Sequence, residues 1–326
     1  MTAAPPFSEA ALRAVLAGAV AAWARAPSAG DEPRRWYVDA FAGAEFQFGT
    51  GVARAPADET RATAAVRALG EGVTAVLVEE DPAHLQRLYA ELEDVAGGER
   101  LRATRDLASL APGEVSLVES PFAAVVAEVA RCAAGGPSFV LAAPPAARAL
   151  PWDALRQLAV LREATLLIRL PVSDFEKQAR HVSPVADLPG FARRIVEGCS
   201  AMLGDAKHAW LPAWRAAFAA AGISAAMDGV MERFAALLAD TAAGRTVRPM
   251  VLEAPDGAAT WLFLVTPDAN MASAVAESAR AAHLRDRLAP AGPSPQPAPA
   301  AAPPTEPDPA PPVEIPAKRA KKEKQP

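Results

Sequence analysis

The sequence predicts an α/β protein with a doubly wound, mostly parallel sheet that closes with one antiparallel β-hairpin. Short, near-continuous apolar runs alternate with helical patterns five times between residues 36 and 172, which indicates βα units whose strands are buried on both faces. Two further apolar runs, at 246–257 and 259–268, are joined by a short Asp-Gly turn, which is the signature of a hairpin.

A leading helix and two βα units are expected in the first part of the chain. Residues 7–26 have helical periodicity, and Ser8 suits the N-cap of that helix. Pro82 suits the first turn of the helix that follows strand 2. That helix is expected to end at a glycine pair, Gly97-Gly98. The strands are expected at 36–43 and 73–81, and the helices that follow them at 57–72 and 82–98.

The same alternation continues and is then interrupted. Residues 174–245 indicate several helices in succession, so we expect a helical insertion ahead of the hairpin. The last helix is expected at 270–288, and residues 1–288 are predicted to form one domain. Before the insertion, strands are expected at 114–120, 137–145 and 164–172, and helices at 121–136 and 152–163.

The C-terminal tail differs sharply in composition. From residue 290 onward the chain carries 13 of its 32 prolines and has little apolar periodicity. Such a segment cannot bury enough apolar surface to offset chain entropy, so residues 289–326 are predicted to be disordered. Its basic end is a candidate contact for nucleic acid, or simply a solvated terminus: Lys318, Arg319, Lys321, Lys322 and Lys324.

Composition excludes several classes of protein. The formal net charge of −5 argues against a chain that binds polyanions through its overall charge. Two cysteines cannot build a disulfide framework, which predicts reduced, buried thiols in a cytoplasmic protein. No stretch approaches the roughly 20 apolar residues of a membrane span, and the N-terminus lacks the basic start of a signal peptide. The four histidines have no ligand spacing, so no metal site is predicted.

Candidate site residues follow from the strand ends, because ligands of such sheets bind at the carboxyl ends of the strands. Strand 1 ends at Asp39, and Gly43 can adopt positive φ and admit a ligand to the backbone, or form a plain packing turn. Glu79 ends strand 2, where an acid can accept both ribose hydroxyls or belong to a solvated acidic cluster. Ser120 or Glu119 could face an adenine amine, and Ser120 could equally cap the next helix. The predicted cofactor-binding set is Asp39, Phe41, Ala42, Gly43, Glu79 and Ser120.

The end of strand 4 carries no obvious chemistry. Amino-methyltransferases often place Asp or Asn before a Pro-Pro pair here, followed by an aromatic that stacks on the target base. Those positions are Ala143 and Ala146 in this chain, which predicts a structural turn. The sequence also lacks a nucleophile elbow, a GxxxxGK loop and a dinucleotide GxGxxG. No catalytic residue is assigned, and the closing hairpin favours a class I methyltransferase-like sheet over a nicotinamide dehydrogenase.

The order of these pieces resembles the three-Cys-motif partner family (TcmP). WYVDAFAGAE is similar to the family's Tyr-x-x-Asp-x-Phe-Ala-Gly-Pro-Gly stretch, VLVEEDP to its strand 2, and WLFLVTPDANMASAVAESA to its closing strand and helix. The resemblance covers roughly residues 7–285. It implies a Rossmann-like, class I methyltransferase-like fold, an S-adenosylmethionine class of cofactor, and a protein partner, since the family is named for a genomic neighbour with a three-cysteine motif.

The departures from the family pattern favour a degraded site. Ala44-Glu45 replaces its Pro-Gly, Ser120 stands nearest to its missing strand 3 Asp, and Ala143 replaces its strand 4 Asp. Unless it turns outward, Glu45 adds a negative charge where the cofactor's methionine carboxylate would lie, and like charges ~4 Å apart cost a few kcal/mol at a dielectric near 20. We therefore expect a pseudoenzyme that acts as a binding or scaffold subunit. The alternatives are an active S-adenosylmethionine-dependent methyltransferase, perhaps on nucleic acid, with residues 174–245 as its lid, and a small-molecule binder or oxidoreductase.

Overall fold

A computed structural model describes residues 9–25, 34–47, 60–70, 72–177, 184–242, 244–253 and 259–288. These residues belong to one compact unit that ends at Leu288. The predicted Ser8 cap, the hairpin turn and the tail from residue 289 lie outside the described residues.

Eight strands and ten α-helices, with a few short 3₁₀ turns between them, are formed by the described residues. The strands are β1 Arg35–Asp39, β2 Val73–Glu79, β3 Leu101–Ala103, β4 Val115–Glu119, β5 Ser138–Ala142, β6 Ala164–Arg169, β7 Thr246–Glu253 and β8 Ala259–Thr266. The helices are α1 Glu9–Arg25, α2 Ala44–Gln47, α3 Arg61–Ala68, α4 Pro82–Ala96, α5 Phe122–Ala133, α6 Trp152–Ala159, α7 Val172–Lys177, α8 Gly190–Met202, α9 Trp210–Thr241 and α10 Ala269–Leu288.

The strands form one sheet in the order β3-β4-β2-β1-β5-β6-β8-β7. All neighbouring pairs are parallel except those that β8 makes with β6 and β7, which are antiparallel. The order reverses at β1, so the carboxyl ends of β1, β2, β4 and β5 flank a topological switch point. This is the doubly wound, class I methyltransferase-like sheet that the sequence predicts, and the prediction is confirmed.

Both faces of the sheet are covered, which explains why its strands are apolar throughout. Trp36 and Val38 of β1 belong to one buried cluster, which includes side chains of α5, α6, α8 and α9. Tyr37 between them belongs to a second cluster, built with α1, α3, α4 and α10. Alternate residues of a strand point to opposite faces, so a strand buried on both sides needs a continuous apolar run.

Two features differ from the sequence prediction. Strand β3 was not expected, because it has three residues and two of them are exposed at the sheet edge. Within the expected helical segment, the sequence patterns at 211–223 and 227–244 indicate two helices, but they form one element, α9, whose course breaks at Gly222 with φ of 82°. Positive φ is readily adopted by glycine, so the break falls where the chain can turn at low cost. The predicted helical insertion between β6 and β7 is present as α7, α8 and α9.

The N-cap of α3 supplies a first testable prediction. The buried Thr60 hydroxyl accepts a hydrogen bond from the Thr63 backbone N–H at 3.1 Å. Thr60→Val keeps the side-chain shape but removes this acceptor, so we expect the free energy of unfolding to fall by about 0.5–2 kcal/mol. Thr60→Ser keeps the oxygen and should cost less. Urea denaturation of both variants checks this, and an equal loss in the two would contradict a capping role.

Candidate functional site

A cavity of about 280 Å³ lies at the carboxyl ends of β1, β2, β4 and β5. We call it the strand-end cavity. It is close to the lower limit of roughly 300 Å³ for small-molecule pockets, and it occupies the switch point where ligands of such sheets bind. Its lining includes Phe41, Glu79, Glu80, Ser120, Phe122 and Arg148.

The predicted cofactor-binding residues divide into two groups. Phe41, Glu79 and Ser120 line the strand-end cavity. Asp39, Ala42 and Gly43 do not line it, although they belong to the same turn. The structure therefore brings the six residues into one region but exposes only half of them to the cavity.

Asp39 stabilises the turn after β1 through its hydrogen bonds. Its carboxylate is fully buried and accepts a hydrogen bond from the Phe41 backbone N–H at 3.1 Å. The guanidinium of Arg61, at the start of α3, lies 3.3 Å from the other carboxylate oxygen and donates to the Phe41 carbonyl at 2.8 Å. Arg61 thus neutralises Asp39 and fixes the turn, a role that nothing in its sequence position indicated.

Glu79 crosses from β2 to the same turn. One of its carboxylate oxygens accepts from the Gly43 backbone N–H at 2.9 Å, and the other accepts from the Asp81 N–H at 2.8 Å. Burial raises the pKa of the Glu79 carboxyl, while these hydrogen bonds and nearby His84 act in the opposite direction. A carboxylate has about four lone-pair sites, so about two remain for a ligand.

Gly43 is required for a reason that differs from the prediction. It does not adopt positive φ, and a Cβ built on it would lie 2.3 Å from a Glu79 carboxylate oxygen. The absent side chain therefore admits Glu79 to the backbone of the turn. A ligand approaching Gly43 would have to replace this contact.

Ser120 and two phenylalanines form the remaining wall of the cavity near β4. The N-cap residue of α5 is Pro121, so the alternative capping role for Ser120 is wrong. The Ser120 hydroxyl lies 3.2 Å from the Pro121 carbonyl oxygen, to which it donates. The rings of Phe41 and Phe122 are tilted, with centroids 5.7 Å apart. A hydroxyl can accept a hydrogen bond from an amine, and the aromatic side chains beside it can pack against a flat ring. Adenine offers both an amine and a flat ring.

The end of β5 is apolar, as the sequence indicates. Ala143 and Pro144 are buried, and Ala146 is half-buried. The turn that follows is stabilised by a side chain of another element: a carboxylate oxygen of Asp174 in α7 accepts a hydrogen bond from the Ala147 backbone N–H at 2.9 Å. No side chain at 143–146 can orient an acceptor amine by hydrogen bonding.

Other chemistries have little support among the residues that the structure describes. No group of three or more potential ligands could hold a metal ion there. Neither cysteine forms a disulfide; Cys199 is buried and Cys132 half-buried, and burial raises the pKa of both thiols. No helix in the described ranges is long and apolar enough to cross a membrane. Glu45 belongs to α2, but its side chain lies outside the described part, so its predicted effect on the cofactor stays a prediction.

Comparison with known proteins finds no matching family model and no matching curated protein. Among solved structures, the chain is similar to cofactor-bound Rv0187 from MTB, with 12% sequence identity and a TM-score of 0.38. The similarity covers 82% of this chain and 84% of that chain. The fold assignment rests on the strand order and directions given above, which define a class I methyltransferase-like sheet.

Proposed function

We propose that this chain is a divergent three-Cys-motif partner-like protein that has lost methyl transfer and acts as a binding or scaffold subunit. The observation that carries the proposal is the apolar end of β5. A transferase must orient its acceptor against the methyl donor, and residues 143–146 present only methyl groups and proline rings there.

The cofactor side of the site supports the same conclusion. Asp39 is used entirely within the protein, by Arg61 and the Phe41 backbone. The Glu79 carboxylate already accepts hydrogen bonds from the backbone N–H groups of Gly43 and Asp81. Both carboxylates thus stabilise the turn without a ligand, so the fold does not need the cofactor to hold this region together.

A second candidate function, an active S-adenosylmethionine-dependent methyltransferase, is favoured by the strand-end cavity itself. In that case the two remaining lone-pair sites of Glu79 would accept the ribose hydroxyls. Ser120 would face the adenine amine, with Phe41 and Phe122 against the ring. Glu45 would then have to turn away from the methionine end of the cofactor.

Calorimetric titration with S-adenosylmethionine separates the two functions. Under the proposed function we expect no saturable heat below about 1 mM, because Glu45 and the occupied carboxylates weaken binding by two to three orders of magnitude from the micromolar range. The control is Glu79→Ala, with folding of both proteins checked by thermal unfolding. Binding at about 10–50 µM that Glu79→Ala abolishes would overturn the proposal and favour the active enzyme. An Ala143→Asp variant should gain no methyl transfer.

A further inference from the structure

A second cavity, of about 230 Å³, adjoins the strand-end cavity. The two share Pro145 and Arg148 in their linings. The lining of the second cavity also includes Lys177 of α7, and Phe191 and Arg194 of α8. We call it the α8 cleft. It has a different chemical character from its neighbour, whose polar lining includes two carboxylates, Glu79 and Glu80.

The α8 cleft is positively charged. Three cations line it, Arg148, Lys177 and Arg194, against one carboxylate, that of Asp174. One oxygen of Asp174 accepts from the Ala147 N–H and the other lies 3.2 Å from the Lys177 ammonium. Asp174 therefore offsets the charge of Lys177, and the cleft keeps the excess charge of its two arginines. The chain as a whole has a net charge of −5, so a local excess of cations is not a consequence of overall composition.

The two arginines are available to a ligand. Neither Arg148 nor Arg194 makes a hydrogen bond or an ion pair with the residues that the structure describes, and both are exposed. The Arg148 backbone, in contrast, is held firmly: a Cβ on Gly198 of α8 would lie 3.0–3.3 Å from Arg148 atoms. Two free guanidinium groups near a fixed backbone provide the planar donors that bind phosphate oxygens bidentately.

Phe191 adds an aromatic surface to these cations. Its side chain is 65% exposed, the most exposed of the large hydrophobic residues in the described part of the chain. Single-stranded nucleic acids are bound by this combination, with phosphates on basic side chains and bases stacked on aromatic rings.

We propose that the α8 cleft binds the phosphate of a nucleotide, with Arg148, Lys177 and Arg194 as its contacts and Phe191 as the stacking surface for the base. The favoured source is a single-stranded nucleic acid. The carboxylates of the strand-end cavity would repel phosphate, which favours the α8 cleft as the phosphate site. The proposal is independent of whether the strand-end cavity binds a cofactor and of the basic tail.

Fluorescence anisotropy with labelled 12-nucleotide DNA and RNA strands tests the proposal on the full chain. Replacing both Arg148 and Arg194 with glutamine should weaken binding about tenfold or more, and should lower the slope of log K against log salt by about 1.4, since each lost phosphate contact contributes about 0.7. Phe191→Ala should weaken binding about fivefold or more with an unchanged salt slope.

Two controls make the outcomes decisive. Arg162→Gln removes an exposed arginine next to the amino end of β6, at the other end of the parallel strands from the cleft, and should leave binding unchanged. Replacement of the five tail cations (318–324) by glutamine should leave the cleft-dependent binding in place. Displacement of the strand by millimolar mononucleotide, with the same dependence on the arginines, would identify a free nucleotide as the ligand. Absence of binding, or binding lost only with the tail cations, would overturn the proposal.

Discussion

Replacing Arg61 with methionine is expected to lower the free energy of unfolding by about 3–5 kcal/mol, the usual cost of leaving one buried charge without its partner. Arg61 and Asp39 are both almost completely inaccessible to solvent, and their charged atoms lie 3.3 Å apart. The substitution would also remove the donor to the Phe41 carbonyl. Guanidinium chloride denaturation gives the change directly.

Two further variants separate the charge effect from a loss of packing. In Asp39→Asn with Arg61→Met the unpaired charge is gone, so the double variant should recover part of the stability lost in Arg61→Met. Arg156→Met changes an exposed arginine of α6 and should stay within about 0.5 kcal/mol of the parent. A loss below about 1 kcal/mol in Arg61→Met would mean that Asp39 is stabilised without Arg61.

Gly43→Ala is the second substitution with a large expected effect. The new methyl group would lie 2.3 Å from a Glu79 oxygen and 2.9 Å from the His84 Cβ, so Glu79 or the turn must move. Overpacking of this kind costs about 1–3 kcal/mol. The Gly43 N–H would also lose its acceptor if Glu79 swings away. We expect a fall of that size in the free energy of unfolding, measured by urea denaturation.

A double-mutant cycle with Glu79→Ala identifies the cause of this loss. If Glu79 is the obstacle, Gly43→Ala should cost less in the Glu79→Ala background, with a coupling energy of at least about 0.5 kcal/mol. Some cost should persist because His84 remains close. Additive losses would show that Glu79 leaves the turn freely, and would contradict a stabilising contact between Glu79 and the Gly43 backbone.

The sheet could be predicted because each central strand is marked by local sequence. A strand covered on both faces must be apolar throughout, and the five apolar runs that alternate with helices satisfy that need. Strand β3 escaped detection because three edge residues with two exposed side chains carry no such pattern. Several successive helices were expected in residues 174–245, but the sequence analysis did not identify Gly222 as the point where α9 breaks.

The candidate site was predicted only in location. In any sheet of this kind the ligand site lies at the carboxyl ends of the strands, near the switch point. Phe41, Glu79 and Ser120 were predicted on that basis, and all three line the cavity. The bonding of Asp39 and Glu79 could not be foreseen, because Arg61 and Gly43 lie 22 and 36 residues away from them in sequence. The α8 cleft is likewise assembled from residues of separate segments, and only the packing of α8 on the turn at 147–149 brings them together.

Arg148 belongs to the lining of both cavities. Occupants of the two would therefore share one guanidinium, and its charge could be given fully to only one of them. Thermodynamic linkage makes such an effect mutual: whatever one occupant does to the affinity of the other is returned by the same factor. If both cavities hold a ligand, the position of this single side chain would therefore couple the two affinities.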